Sequence, residues 1–199
     1  HTRSLCDWSS DVCSSDLATA AILAFQDRRP VRLRTASRRL DGLLVNRTRA
    51  DGPVEDHLTV LAAEDLATNA PTFVVVNYQG HPTVQIQLGN DDVSRDWPGE
   101  TTDWIEKKLP GAVGLFFMGS SGDLNVRPEF ESVERCREPA RTVAEAVFDL
   151  LAGARNLGSD LSVAADRREA TLPTRRYDRA AVERELDRKS TRLNSSHTV

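Results

Sequence analysis

The sequence has few cysteines, few histidines and no long hydrophobic run. It contains three cysteines and four histidines in 199 residues, and no apolar stretch approaches the roughly 20 residues that a membrane-spanning helix needs. The net charge of −4, without a basic stripe, argues against nucleic acid as a partner. Eleven glycines and nine prolines are too few for a fibrous or low-complexity chain. These absences leave a globular domain, or part of one.

The two ends of the chain are related to each other at the level of DNA. One choice of codons for Asp187–His197 gives a string whose reverse complement, in a shifted frame, encodes Cys6–Leu17. Two unrelated protein segments are not expected to share one DNA string, so we interpret residues 1–17 and 187–199 as translated sequencing adapter. Residues 18–186 are then expected to be an internal fragment of a larger domain.

Within residues 18–186 the sequence keeps only Cys136, His57 and His81 of its cysteines and histidines. A single cysteine excludes a disulfide framework and a cysteine-based metal site in one copy of the chain. His57 follows two acidic residues and is expected in a solvated turn. His81 is therefore the main candidate for metal ligation or proton transfer, with a histidine hydrogen-bonded to the backbone as the plainer alternative.

Strands and helices alternate along the sequence. The continuous apolar runs Phe73–Val76 and Ala112–Met118 predict buried strands, and Glu100–Leu109 predicts a helix with acidic residues first and lysines last. Further elements are predicted at Ala18–Gln26 (helix), Val31–Thr35, Leu58–Ala62 and Leu161–Leu172 (strands), and Ser132–Ala152 and Arg179–Leu186 (helices). The predicted fold class is α/β, with a mixed, partly parallel sheet and helices packed on it, incomplete at both ends. Missing sheet partners are expected to leave Phe73–Val76 at risk of being an exposed edge.

Polar loops follow the two predicted buried strands. Gly80-His81-Pro82 comes after the first strand and Gly119–Asn125 after the second. Because ligands of α/β layers gather at the carboxyl ends of strands, these loops are the expected site. The backbone N–H groups of Gly119–Gly122 are suited to an anion or oxyanion, and a simple tight turn is the alternative. The loop has neither the spacing of a nucleophile elbow nor the lysine of a P-loop.

Five motifs occur in an order that resembles a known family. They are Asn46-Arg47, Gly52-Pro53-Val54, His81-Pro82, Ser94–Gly99 and Gly119–Asn125. The same order is found in neutral/alkaline non-lysosomal ceramidases, and the sequence is more similar to bacterial relatives of that family. The resemblance covers residues 18–173.

The resemblance implies a fragment of a zinc-dependent hydrolase that cleaves N-acylsphingosine or a related N-acyl amide by metal-activated water. The family holds zinc with two histidines, a glutamate and a tyrosine. His81 matches the second histidine, and the other three ligands are expected outside residues 18–186. Arg47 matches an arginine that contacts substrate near the metal. The resemblance also implies a secreted, periplasmic or membrane-associated protein, with a membrane surface as a partner of the full-length form.

The sequence departs from the family at one position of the site. Asn125 stands where the family's Gly-Asp-x-Ser stretch has an active-site serine. An asparagine can hydrogen-bond a carbonyl or an oxyanion, but it cannot act as a nucleophile. The predicted catalytic residues are therefore Asn125 and Asp123, and the predicted substrate-binding residues are Arg47, Ser120 and Ser121. His81 is the predicted metal ligand, and Asp96 is predicted to support the site.

Two other functions remain open at this point. A non-catalytic binding or structural member would keep the fold without the chemistry, and Asn125 favours this alternative. A serine hydrolase using Ser120 or Ser121 would need His57 or His81, together with an acid, as its partners. The main prediction is that the full-length parent is a hydrolase that uses zinc and a small-molecule or lipid amide substrate, and that this fragment alone is inactive.

Overall fold

The computed structural model describes residues 10–89, 93–132, 134–158, 161–171, 173 and 178–186. The chain divides into two compact units, His1–Leu161 and Ser162–Val199. Residues 1–9 and 187–199, which belong to the segments interpreted as adapter, lie outside the described residues. None of the helices in the described ranges combines the length and the apolar character needed to span a membrane.

The second unit differs from its prediction in one element. Residues 179–186 are helical, as predicted. The strand predicted over 161–172 is wrong, because 161–171 have no regular structure and are exposed throughout; Leu172 lies outside the described residues. An alternating pattern makes a strand only when a neighbouring strand pairs with it, and none of the described residues does so here.

The first unit is a layered arrangement of strands and helices. Its described elements are, in chain order, α1 (Ser10–Gln26), β1 (Val31–Arg39), β2 (Leu44–Asn46), β3 (His57–Asp65), β4 (Pro71–Tyr78), α2 (Val84–Gln87), α3 (Asp96–Lys108), β5 (Val113–Met118), β6 (Leu124–Val126), a 3₁₀ turn (Pro128–Phe130), α4 (Glu138–Ala152) and β7 (Arg155–Gly158). The helix predicted from Ser132 begins at Glu138 instead. Pro139 lies in its first turn, where the missing N–H of proline leaves no bond unmade.

Five strands form a sheet in the order β5-β4-β3-β1-β7. β4 and β5 are parallel, and the other neighbours are antiparallel, which confirms the mixed, partly parallel sheet. The expectation that Phe73–Val76 risks being an exposed edge is wrong, because β4 lies between β3 and β5. The edge beside it is β5. A separate antiparallel pair joins β2 and β6.

The hydrophobic core lies between this sheet and the helices α3 and α4. Alternate residues of β3 and β4 are fully buried, because successive side chains of a strand point to opposite faces. The core is formed by Leu58 and Val60, Val74 and Val76, Trp97 and Ile105, and Val143 and Val147. The core face thus places the start of α3 directly beneath the carboxyl ends of β4 and β5.

Candidate functional site

The predicted loops meet at the carboxyl ends of β4 and β5. Because these strands are parallel, the chain leaves both of them at the same edge of the sheet. The loop after β5 leads into β6, which returns beside the chain that follows β4. There His81 N donates to Leu124 O at 2.9 Å, and His81 and Asn125 form an isolated parallel bridge. The structure therefore brings His81 and Asn125 side by side.

A glycine is required immediately before His81. Gly80 has a φ of +112°, and a Cβ at this position would lie 2.7 Å from Leu44 Cδ2. Any other residue would be strained and would also collide with the core. Gly80 thus fixes the direction in which the chain leaves β4.

Trp97 holds the backbone of His81 from the core side. Its indole Nε1 donates to His81 O at 3.2 Å, and the side chain is only 1% exposed. Edge-to-face contacts with Tyr78 and Phe116, at centroid distances of 6.3 and 5.1 Å, fix the indole ring. Burial raises the pKa of the Tyr78 phenol, which stays neutral and donates to Leu40 O at 3.0 Å.

Three buried polar atoms of the site have no hydrogen-bond partner. They are Gln79 Oε1, His81 Nε2 and Asn125 Oδ1, and they are the unpaired buried side-chain atoms of the described part of the chain. Such atoms are rare in folded proteins, and each one left unpaired costs about 1–3 kcal/mol. Because the three residues are neighbours at one strand edge, this edge is the candidate binding site.

Arg47 and Asp123 connect the β2 loop to the β6 loop. Arg47 N donates to Asp123 O at 2.8 Å, and the exposed Arg47 guanidinium donates to Gly122 O at 3.0 Å. Asp123 Oδ2 accepts from Asn46 Nδ2 at 2.7 Å. The Asp123 carboxylate thus has a structural partner, and the contacts hold Arg47 next to the loop that carries Asn125.

Asn46 is a buried hub that sequence reasoning placed in a motif but did not identify as a key residue. Its Oδ1 accepts from Thr48 N, Thr48 Oγ1 and Arg49 N, and its Nδ2 also donates to Pro53 O at 3.1 Å. A Cβ on Gly52 would lie 2.5 Å from Asn46 Nδ2. The motifs Asn46-Arg47 and Gly52-Pro53 therefore form one folded turn.

Asp96 supports the site through Trp97. It has a φ of +54°, which is uncommon outside glycine. Its carboxylate accepts from Gln85 N and Trp97 N, both at 2.7 Å, and its own N–H donates to Ser94 Oγ at 2.9 Å. Asp96 thereby ties α2 to the start of α3 and sets the position of the tryptophan that binds the His81 carbonyl.

The two serines and the second histidine do not form a hydrogen-bonded catalytic group in the part of the chain that the structure describes. Ser120 is exposed and Ser121 half-buried, and neither hydroxyl is hydrogen-bonded to a histidine in the described residues. His57 is exposed, and its Nδ1 lies 2.7 Å from Glu55 Oε1, but it is the first residue of strand β3 and not part of a turn. Among the described residues, neither serine is therefore paired with a histidine as a serine hydrolase would require.

The described ranges contain no group of three or more histidine, cysteine, aspartate or glutamate residues that could hold a metal ion. His81 has the chemistry of a metal ligand because its ring nitrogen is buried and unpaired, while its backbone N–H and C=O are already bonded. Gln79 was missed in the sequence. Its position directly after β4 and two residues before His81 is the signal that could have identified it.

Comparison with known proteins gives a structural relationship only. No family model and no curated protein matches the chain. The structure of neutral ceramidase from Pseudomonas aeruginosa matches with a TM-score of 0.56 and 18% identity, over 69% of this chain and 25% of that one. A ceramidase complexed with C2 matches with a TM-score of 0.55 and 18% identity, over 64% and 23% of the two chains. The chain thus spans about a quarter of the length of these structures, and over the part they cover it has a neutral ceramidase-like fold.

Proposed function

We propose that the chain is part of a zinc-dependent amide hydrolase in which His81 supplies one of the metal ligands. The observation that carries the proposal is the buried, unpaired Nε2 of His81, at the carboxyl end of two parallel strands and beside Asn125. The likeness to ceramidase structures supports the proposal, because the sequence motifs around His81 resemble the same family that the fold matches. Zinc, when bound, activates water for attack on an amide carbonyl.

The residues around His81 have chemistry suited to an amide substrate. Asn125, held next to His81 by the strand bridge, presents a side-chain amide that can hydrogen-bond the carbonyl oxygen as negative charge develops on it. The Arg47 guanidinium adds positive charge at the same loop while remaining exposed to solvent. Ser120 and Ser121 contribute hydroxyls for substrate binding. The proposed substrate is a linear N-acyl amide, either a small molecule or a lipid.

A non-catalytic binding protein with the same fold is the second candidate. It is favoured by Asn125, which cannot act as a nucleophile, and by the carboxylate of Asp123, which is bonded to Asn46. In this case the unpaired atoms of the site would bind a ligand without cleaving it.

The test uses the complete protein that carries this segment. We expect it to contain zinc and to hydrolyse an N-acyl amide. The variant His81→Ala should lose the zinc. Its activity should fall by more than the roughly 10–100-fold that is typical when a residue supporting a metal ligand is replaced. The matched control is His57→Ala, because this histidine is exposed and outside the site.

The outcomes separate the two candidates. Zinc and activity that persist in His81→Ala would refute the assignment of His81. A complete protein that lacks both zinc and hydrolytic activity would refute the hydrolase and favour the binding protein.

A further inference from the structure

We infer that Gln79 is a further substrate-binding residue, whose side-chain carbonyl accepts a hydrogen bond from the N–H of the substrate amide. The inference rests on the proposed function, since it assigns the amide substrate a contact in the same site. It deepens that function by naming the residue that distinguishes an amide from an ester.

The position of Gln79 places it in the site. It directly follows β4 and precedes His81 by two residues. A Cβ on Gly119 would lie 3.0 Å from Gln79 Cδ, so the glutamine side chain packs directly against the first residue of the loop after β5. That loop leads into β6, whose Asn125 is bridged to His81. Gln79 thus lies at the start of the loop, and the bridge between His81 and Asn125 lies just after its end.

The burial of Gln79 makes its unpaired oxygen informative. The residue is only 6% exposed, and Oε1 has no hydrogen-bond partner within the described residues. A glutamine that served only to fill space there would leave a buried acceptor unpaired, at a cost of about 1–3 kcal/mol. An oxygen held in this way without a partner is ready to accept a hydrogen bond from a ligand.

The chemistry of the acceptor selects the class of ligand. The N–H of a primary or secondary amide can donate to Gln79 Oε1, whereas the bridging oxygen of an ester and the nitrogen of an N,N-dialkyl amide cannot. A ligand without the donor leaves the acceptor buried and unpaired. We therefore expect the site to prefer an amide over an ester of the same shape by about tenfold or more.

The first experiment measures this preference in the chain itself and needs no zinc. The chain is titrated with N-methylacetamide and with methyl acetate, which has the same shape but an oxygen in place of the N–H. Binding is followed by NMR on the side-chain amide signals of Gln79 and Asn125. We expect N-methylacetamide to bind about tenfold more tightly or better. Equal binding, or no binding of either probe, would overturn the inference.

The second experiment uses substitution of the glutamine. Gln79→Met keeps the length of the side chain without its polar atoms, and it should abolish the preference for the amide probe. Gln87→Met, at an exposed glutamine of α2, is the matched control and should retain it. A preference that persists in Gln79→Met would refute the role of this residue.

A stability measurement distinguishes a binding role from a structural one. Because Gln79→Met removes a buried, unpaired oxygen, we expect the variant to be at least as stable as the parent chain. A clear loss of stability would show that Gln79 serves the fold and would contradict the inference. Zinc content and hydrolysis are measured separately, in the complete protein. The role of Gln79 in binding can therefore be refuted without refuting His81 as a metal ligand, and His81 can be refuted without refuting Gln79.

Discussion

At the scale of the residue, two buried amide side chains differ in whether their polar atoms have hydrogen-bond partners. Asn46, 4% exposed, uses its amide nitrogen and oxygen to bond five groups of the surrounding loops. Gln79, similarly buried, has an oxygen with no partner in the described residues. Since a paired buried amide stabilises the fold and an unpaired one does not, the first has a structural role and the second is available to a ligand.

Replacing Asn46 tests its structural role. Asn46→Ala removes the partners of Asp123, Pro53 and the Thr48–Arg49 backbone, so we expect the free energy of unfolding to fall by about 2–3 kcal/mol. Urea unfolding measures the change, and Gln87→Ala, at an exposed amide, should change it by less than about 0.5 kcal/mol. Equal effects of the two substitutions would show that the hydrogen bonds of Asn46 contribute nothing.

The positive φ of Asp96 allows the effect of backbone strain on stability to be measured separately from the effect of its hydrogen bonds. Asp96→Ala and Asp96→Gly both remove the carboxylate that accepts from Gln85 N and Trp97 N. Only glycine adopts the φ of +54° without strain, so Asp96→Gly should be more stable than Asp96→Ala by about 1 kcal/mol. Thermal melts of the two variants measure the difference, and identical melting temperatures would contradict the strain.

At the scale of the element, strands β1 and β3 are linked by a charged cluster. Glu64 on β3 forms ion pairs of 2.8 Å with both Arg32 and Arg34 of β1. Burial alone would raise the pKa of Glu64, but the hydrogen bonds and charges of the two arginines outweigh it and lower the pKa. Arg34 also donates to Leu151 O at the end of α4, so the cluster joins the sheet to a helix.

The lowered pKa of Glu64 predicts a dependence of stability on pH. A carboxyl group whose pKa is lower in the folded chain stabilises it above 4.5, its usual pKa, and this contribution is lost as the pH falls through the lowered value. Glu64→Gln should therefore lower the free energy of unfolding by about 2 kcal/mol at neutral pH and flatten its fall in acid. Urea unfolding across the pH range measures both effects. Glu145→Gln, in an exposed pair with Arg141, should have little effect, and an unchanged acid slope in Glu64→Gln would contradict the assignment.

The strand β5 is the exposed edge beside the candidate site. Its Val113, Leu115 and Phe117 are 53%, 40% and 57% exposed, and the strand contains no charged residue or proline that would hinder pairing with another chain. We expect Phe117→Lys to reduce self-association in sedimentation experiments without lowering the melting temperature. Ile86→Lys, at an exposed residue of α2, is the control, and an equal reduction by both would show that the edge is not the contact.

At the scale of the whole molecule, the described residues supply too few metal ligands for stable zinc binding. His81 is the proposed ligand, and the described residues contain no cluster of three suitable side chains. Because zinc sites in proteins use three or four protein ligands, the isolated chain should lose added zinc on dialysis at neutral pH. Equimolar zinc retained after dialysis would contradict this, and metal analysis of the dialysed chain measures it.

Local sequence patterns predicted most elements of the fold. The apolar runs of β4 and β5 and the charge distribution of α3 depend on residues close together in the chain, and the three elements form at or near the predicted positions, with α3 beginning at Asp96 rather than at Glu100. The prediction that β5 is a buried strand was wrong, because it lies at the edge of the sheet, where Val113, Leu115 and Phe117 are 40–57% exposed. The prediction over 161–172 was wrong because alternation alone does not make a strand when the described residues of that stretch stay exposed. The start of α4 was also misplaced, since the position of Pro139 was not used to locate it.

The sequence by itself determined the kinds of element, the absence of a disulfide framework between residues 18 and 186, and the candidate residues of the site. Only the tertiary structure decided that β4 is internal, that His81 is bridged to Asn125, and that the buried Gln79 side chain packs against Gly119. The reason is that periodicity reports on interactions within a turn or a strand. Which strand ends lie together, and which buried atoms lack a partner, depends on contacts between residues more than forty positions apart, such as His81 and Asn125.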